Sequence, residues 1–254
     1  MKSSGQCRTG RQAAAFASAF FLSVLATARP QAPTSPSAVP PQTSDCVTYG
    51  NGISVRLNDG HMETTHDKTH WTNCAMPVAT FLRGLAYGNG LFVAVGGSYV
   101  QTPGVILTSV NGTNWIRRNV RNKINLNAVA TGKGLFVAVG DAGVIFTSAD
   151  GAAWKAQPSG TDSMLAAIAF GKGVFVASGE SGAILRSTNG VHWTGQSVGS
   201  SVYLGRIRFK DGEFLAVGCS ATFASTDGLT WRREDRERPA RSAVTRTNSV
   251  QAKD

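Results

Sequence analysis

From about residue 47 to residue 231, apolar positions alternate with polar ones or run for five to seven residues between Gly-rich turns. That is the periodicity of β-strands and not of amphipathic helices. The stretch from residue 126 onward predicts four strands: Leu126–Thr131, Leu135–Val139, Val144–Ser148 and, after a turn at Ala149–Ala153, a fourth beginning at Trp154. The same phrase recurs along the chain. GNGLFVAVG at 88–96 is matched by GKGLFVAVG at 132–140, GKGVFVASG at 171–179 and KDGEFLAVG at 210–218, with a shadow, YGNGISVRL, at 49–57.

A second phrase follows each of these and closes on a tryptophan. Its clear copies run Ser109–Trp115, Ser148–Trp154, Ser187–Trp193 and Ser225–Trp231, and Thr65–Trp71 is a degenerate copy. The five tryptophans, Trp71, Trp115, Trp154, Trp193 and Trp231, lie 44, 39, 39 and 38 residues apart. The long first interval is explained by an insertion, SYVQTPG, in one loop. Four antiparallel strands in each repeat of about 39 residues make one propeller blade. The expected fold is therefore all-β, a β-propeller of about five four-stranded blades spanning 46–236.

The turn phrase has a structural rationale. An Asp or Asn at its third position (Asp67, Asn111, Asp150, Asn189, Asp227) accepts from backbone N–H groups two residues on. Gly112, Gly151, Gly190 and Gly228 accept positive φ, Ser109, Ser148, Ser187 and Ser225 tie the preceding strand, and tryptophan buries a large ring with a polar N–H. These residues are expected to be structural.

Taken together, the two phrases resemble the Asp-box, or bacterial neuraminidase repeat, of sialidase-like propellers. The fuller pattern, FVAVG followed by G.I..S.DG..W, resembles that of the photosystem II assembly and stability factor family. The resemblance implies a propeller whose Asp-box turns are scaffold lying away from any catalytic centre. It implies an assembly or stability role from one family and a glycoside hydrolase from the other.

The flanks differ in composition. Basic residues in 1–11, an uncharged apolar run at 13–25 and the small residues Ala26-Thr27-Ala28 predict a signal peptide over 1–28. The apolar run falls short of the ~20 residues that span a bilayer, which disfavours an anchor. Five of the nine prolines fall in 29–45, predicting an extended linker, and 237–254 reads as a basic, disordered tail. No transmembrane segment is expected in the mature chain, which is expected to be secreted or periplasmic.

The net charge of +10 shrinks on partition, because residues 46–231 carry 14 Lys and Arg against 10 Asp and Glu. No motif places these cations for phosphate contacts, so no nucleic-acid partner is expected. Cys46, Cys74 and Cys219 fall in the mature chain, and no CxxC is present, which argues against a cysteine zinc site. Strands one and four of a blade stand about 14 Å apart, too far for a disulfide between Cys46 and Cys74. In a closed ring blades one and five adjoin, which makes Cys46 and Cys219 the better pair.

Candidate chemistry is sparse. His61, Glu63, His66, Asp67 and His70 are metal-ligating types, but His66 and His70 in a strand-and-turn setting do not share a face. No metal, cofactor or catalytic residue is expected. Asp141 and Glu180 share one loop position in successive repeats and are candidate binding residues. Arg117, Arg118, Arg121 and Lys123 form a basic run, read as solvated strand and loop or as a docking patch for an acidic partner. Small residues stand on the inner strand at Gly84 and Ala86, Ala128 and Ala130, and Ala167 and Ala169, yet the fifth repeat has Arg206 and Arg208 there. Guanidiniums cannot replace methyls in a dry core without compensation. The two arginines therefore line a central channel and bind an anion, or blade five has an open side. The function expected is a non-enzymatic scaffold for a protein or glycan partner; the alternative is a sialidase-like glycosidase.

Overall fold

A computed structural model describes residues 46–58, 61–78, 80–97, 104–120, 124–199 and 202–234. The expected signal peptide, linker and tail lie outside these residues. The chain is a five-bladed β-propeller of five four-stranded antiparallel sheets, each built from consecutive strands. Blade one comprises β1 (Cys46–Gly50), β2 (Ile53–Asn58), β3 (His61–Thr65) and β4 (Thr72–Asn73). Blade two comprises β5 (Leu82–Gly88), β6 (Leu91–Gly96), β7 (Val105–Ser109) and β8 (Ile116–Arg118). Blade three comprises β9 (Leu126–Gly132), β10 (Leu135–Gly140), β11 (Ile145–Ser148) and β12 (Lys155–Gln157). Blade four comprises β13 (Leu165–Gly171), β14 (Val174–Gly179), β15 (Ala183–Ser187) and β16 (Thr194–Ser197), and blade five β17 (Arg206–Lys210), β18 (Glu213–Val217), β19 (Thr222–Ser225) and β20 (Arg232–Glu234).

The repeated phrases account for this regularity. Each GNG-like phrase folds as a two-residue hairpin with both central residues at positive φ, as at Lys133 (51°) and Gly134 (71°), which matches the twist of the strands it joins. The phenylalanine that follows, Phe92, Phe136, Phe175 or Phe214, is fully buried. In blade four Phe175 links the inner strand to the turn, with its ring 4.6 Å from Phe170 and 6.5 Å from Trp193. These rings are buried together with aliphatic residues of adjoining blades, which stabilises the array because a lone four-stranded sheet has no second layer to cover its faces.

The tryptophan-closing turns share the bonds made by their first and third residues, and three of them, those of Trp115, Trp154 and Trp193, add one from the indole. In blade three the Asp150 carboxylate accepts from the backbone of Ala152 (2.8 Å) and Ala153 (2.9 Å) and from the Ser148 hydroxyl (3.0 Å). Ser148 Oγ in turn accepts from Gly151 N, and Trp154 Nε1 donates to Gly151 O. The degenerate copy in blade one keeps this geometry, with Thr65 for Ser and Lys68 at φ 66° where the others have Gly. The third-position residue acts through a carboxamide as well as through a carboxylate, since Asn111 and Asn189 accept the same bonds.

Successive inner strands lean on one another, β1 on β5, β5 on β9, β9 on β13 and β13 on β17. Among the described residues no contact of comparable extent joins blade five to blade one. The disulfide expected between Cys46 and Cys219 is accordingly not formed, and Cys46 and Cys74 are free thiols. Cys46 faces blade two instead, its Sγ 3.7 Å from Leu85 O, and burial pushes its pKa up.

Candidate functional site

Each internal interface is assembled by the same three devices. The inner strand of a blade ends in glycine, and a side chain of the next blade lies directly over it. Tyr87 covers Gly50, Thr131 covers Gly88, Phe170 covers Gly132 and Phe209 covers Gly171, each so closely that a Cβ on the glycine would overlap the covering group. The next residue donates to carbonyl oxygens of the following blade. Asn51 reaches Gly90 O and Val110 O, Asn89 reaches Gly134 O and Ala149 O, Lys133 reaches Thr188 O and Lys172 reaches Thr226 O. Finally, the glycine of each tryptophan turn packs on the second strand of the preceding blade, Gly112 on Ile53 and Val55, and Gly190 on Leu135 and Val137.

At blade five all three devices are replaced. Lys210 stands in the glycine position, Asp211 where the donor stands, and Glu213 where blades one to four have Ile53, Leu91, Leu135 and Val174. Strand register places Lys210 and Glu213 on one face with the two arginines, since Arg206 lies opposite Val217, Arg208 opposite Leu215 and Lys210 opposite Glu213. This is the face that blades one to four turn toward the following blade. Here it carries Arg206, Arg208 and Lys210 exposed in alternation, with Leu215 and Val217 half-buried beside them. Arg206 and Arg208 are thus exposed on a face that, among the described residues, carries no following blade.

The outward face of blade one is polar in a complementary way. Ser54 replaces the buried phenylalanine of the other blades, and Arg56 replaces the alanine that follows two residues later. Arg56 pairs with Glu63 at 2.5 Å and lies 4.1 Å from the centroid of Trp71. Val47 and Tyr49, which point where a preceding blade would sit, are 49% and 61% exposed.

Electrostatics separates the charged residues of blade five into engaged and free. Arg232 makes a two-pronged contact with Glu213 (3.1 and 2.9 Å) and a further one with Glu234, which lowers the Glu213 pKa. Lys210 sits 3.8 Å from Asp211, at the limit of an ion pair. Arg206 and Arg208 form no ion pair among the described residues.

Asp141 and Glu180 occupy equivalent turns but have different surroundings. Their backbone N–H groups donate alike, to Asn125 O and Met164 O. The Asp141 carboxylate is clasped by Asn125 Nδ2 (3.1 Å) and Asn127 Nδ2 (2.9 Å), and Asn127 also reaches Leu165 O of blade four. Arg83 of blade two donates to Asn127 Oδ1. Asn127, held by Asp141, thus links three blades, whereas Glu180 is exposed, with Met164 and Ala166 standing where blade three has Asn125 and Asn127. Among the described residues no three metal-ligating side chains converge. Glu63 faces Arg56, and His70 Nδ1 lies 2.6 Å from Asp67. Arg117 and Arg118 lie on the outer strand β8, and Arg121 and Lys123 fall outside the described residues.

Lys210, Asp211 and Glu213 carry the site as much as the two arginines do. Their signal was present in the phrase KDGEFLAVG, which departs from GNGLFVAVG at those three positions and, conservatively, at Leu215. No helix among the described residues is long and apolar enough to cross a membrane.

No protein-family model matches the chain, and no curated protein matches it in sequence. In structure the chain is similar to YCF48 bound to a D1 peptide, at 14% identity and a TM-score of 0.51, covering 76% of this chain and 82% of that one. It is also similar to virginiamycin B lyase from Staphylococcus aureus, at 11% identity and a TM-score of 0.64, covering 79% and 72%. A streptogramin B lyase gives 14% identity and a TM-score of 0.62, covering 77% and 70%. At these identities the likenesses identify the fold, a β-propeller.

Proposed function

We propose that the protein is an exported, non-enzymatic propeller of the Asp-box type that acts as a binding or assembly scaffold for a protein partner. The observation that carries this reading is the end face of blade five, a sheet surface whose Arg206 and Arg208 are exposed and form no ion pair among the described residues, with apolar Leu215 and Val217 beside them. Pre-organised charge beside a little apolar area is what a protein contact uses for orientation and encounter rate. The turn bonds around Asp150, Asn189 and Asp227 support the Asp-box assignment, and they occupy those side chains in holding hairpins. YCF48, a protein of similar fold, has been seen with a peptide bound.

Affinity capture from the native envelope tests the reading. A specific co-purifying protein is expected, and turnover of a sialoside or of any member of a glycoside panel by the purified protein would contradict it. The recovered chain should begin at Arg29, the residue after the expected cleavage site.

A further inference from the structure

We infer that the outward face of blade five is a recognition strip for an extended acidic segment of a partner protein, a deepening that rests on the scaffold reading above. The face is not an unfilled blade interface. Any blade docked there in propeller register must lay a side chain on the glycine position, and the Cβ of Lys210 occupies that space. Asp211 offers no hydrogen where the other blades donate one, and Glu213 is held by Arg232. Neither blade one nor a second copy of the chain fits as a sixth blade.

The chain's own flanks are equally unsuited. Residues 29–44 contain no acid, and 232–254 carry seven basic against four acidic residues. The occupant must bring carboxylates from elsewhere. Arg206, Arg208 and Lys210 recur at every second residue of one strand, so their Cα atoms stand about 6.8 Å apart, the repeat of alternate residues in an extended chain. A segment with an acid at every second position matches all three cations, and its apolar atoms fall on Leu215 and Val217.

The test uses fluorescence anisotropy with two labelled nonapeptides of identical composition, three glutamates among six threonines. One has glutamate at every second position, the other at every third. The first is expected to bind, to bind more tightly than its isomer, and to lose about tenfold in affinity to R206A/R208A at an unchanged melting temperature. A control variant, R117A/K155A, removes the same charge from exposed strands of other blades and should bind as the parent does. No binding, equal binding of the two peptides, or equal loss in the control overturns the proposal. So does binding confined to phosphatidylglycerol vesicles. Envelope capture with R206A/R208A separates this site from the scaffold reading: a partner still recovered leaves the scaffold standing and removes the strip.

Discussion

The ring of Phe209 lies over Gly171, and the residue after Phe209, Lys210, stands where the next glycine of the series would be. That juxtaposition shows how the blade array is propagated and how it ends. Gly171→Ala should destabilise by ~1–3 kcal/mol, because the added methyl meets an aromatic ring already in van der Waals contact. Lys210→Gly should shift stability by less than about 1 kcal/mol, since Lys210 is exposed and no described residue is packed over it. Thermal melts of the two variants check both.

Trp231 differs from its counterparts. Trp115, Trp154 and Trp193 each donate Nε1 to the carbonyl of their turn glycine, but Trp231 Nε1 is buried without a partner among the described residues, and Gly228 O takes its bond from Gln196. Replacing tryptophan by phenylalanine removes a satisfied hydrogen bond at Trp154 and an unsatisfied donor at Trp231. Trp154→Phe should therefore cost about 1 kcal/mol more than Trp231→Phe, by chemical denaturation of each variant.

Acid should weaken the turns through their carboxylates. The backbone N–H groups of Ala153 and Ala152 hold the Asp150 pKa below its usual range, and those of Thr230 and Leu229 do the same for Asp227. A carboxyl whose pKa is lower folded than unfolded contributes stability fully above the unfolded value of about 3.9 and loses it as pH falls toward the folded value. Asp150→Asn, which imitates Asn111 and Asn189, should fold normally and show a shallower loss of melting temperature below about pH 4.

Removing both arginines should leave the fold intact. Arg206 and Arg208 are exposed and form no ion pair among the described residues, so R206A/R208A should change stability by no more than about 0.5 kcal/mol. A large destabilisation, read from the same melts, would give the pair a structural role.

Much of this was legible in the amino-acid sequence, for a physical reason. A blade is a local unit whose hairpins, buried phenylalanine and tryptophan turn are all set within about 39 residues, so the repeat exposes strand order and turn chemistry directly. The expected strand Leu135–Val139 is observed as Leu135–Gly140, and the expected start at Trp154 as Lys155. What joins the two ends of the chain is not local. The pairing of Cys46 with Cys219 assumed a closed ring, and whether the ring closes depends on contacts between residues some 160 apart in sequence. The clues to an open end were single-residue departures, Lys210 for Gly and Ser54 for Phe, which acquire meaning only once the opposing blade is known to place a ring on the one and to bury the other. Asp141 and Glu180 illustrate the same limit, being alike in sequence position but distinguished by Asn125 and Asn127 on a neighbouring strand.

The most direct test of an unclosed array with free end faces is thiol chemistry on Y49C/K210C. In a closed ring these positions would repeat the relation of Tyr87 to Gly50, which meet directly across adjacent inner strands, the kind of close approach a disulfide requires. Under mild oxidation, with peptide mapping to separate native thiols, no 49–210 crosslink should form and both introduced thiols should react with maleimide at the rate of exposed cysteine. Rapid formation of that crosslink within monomeric protein, with both thiols shielded from maleimide, would contradict the account.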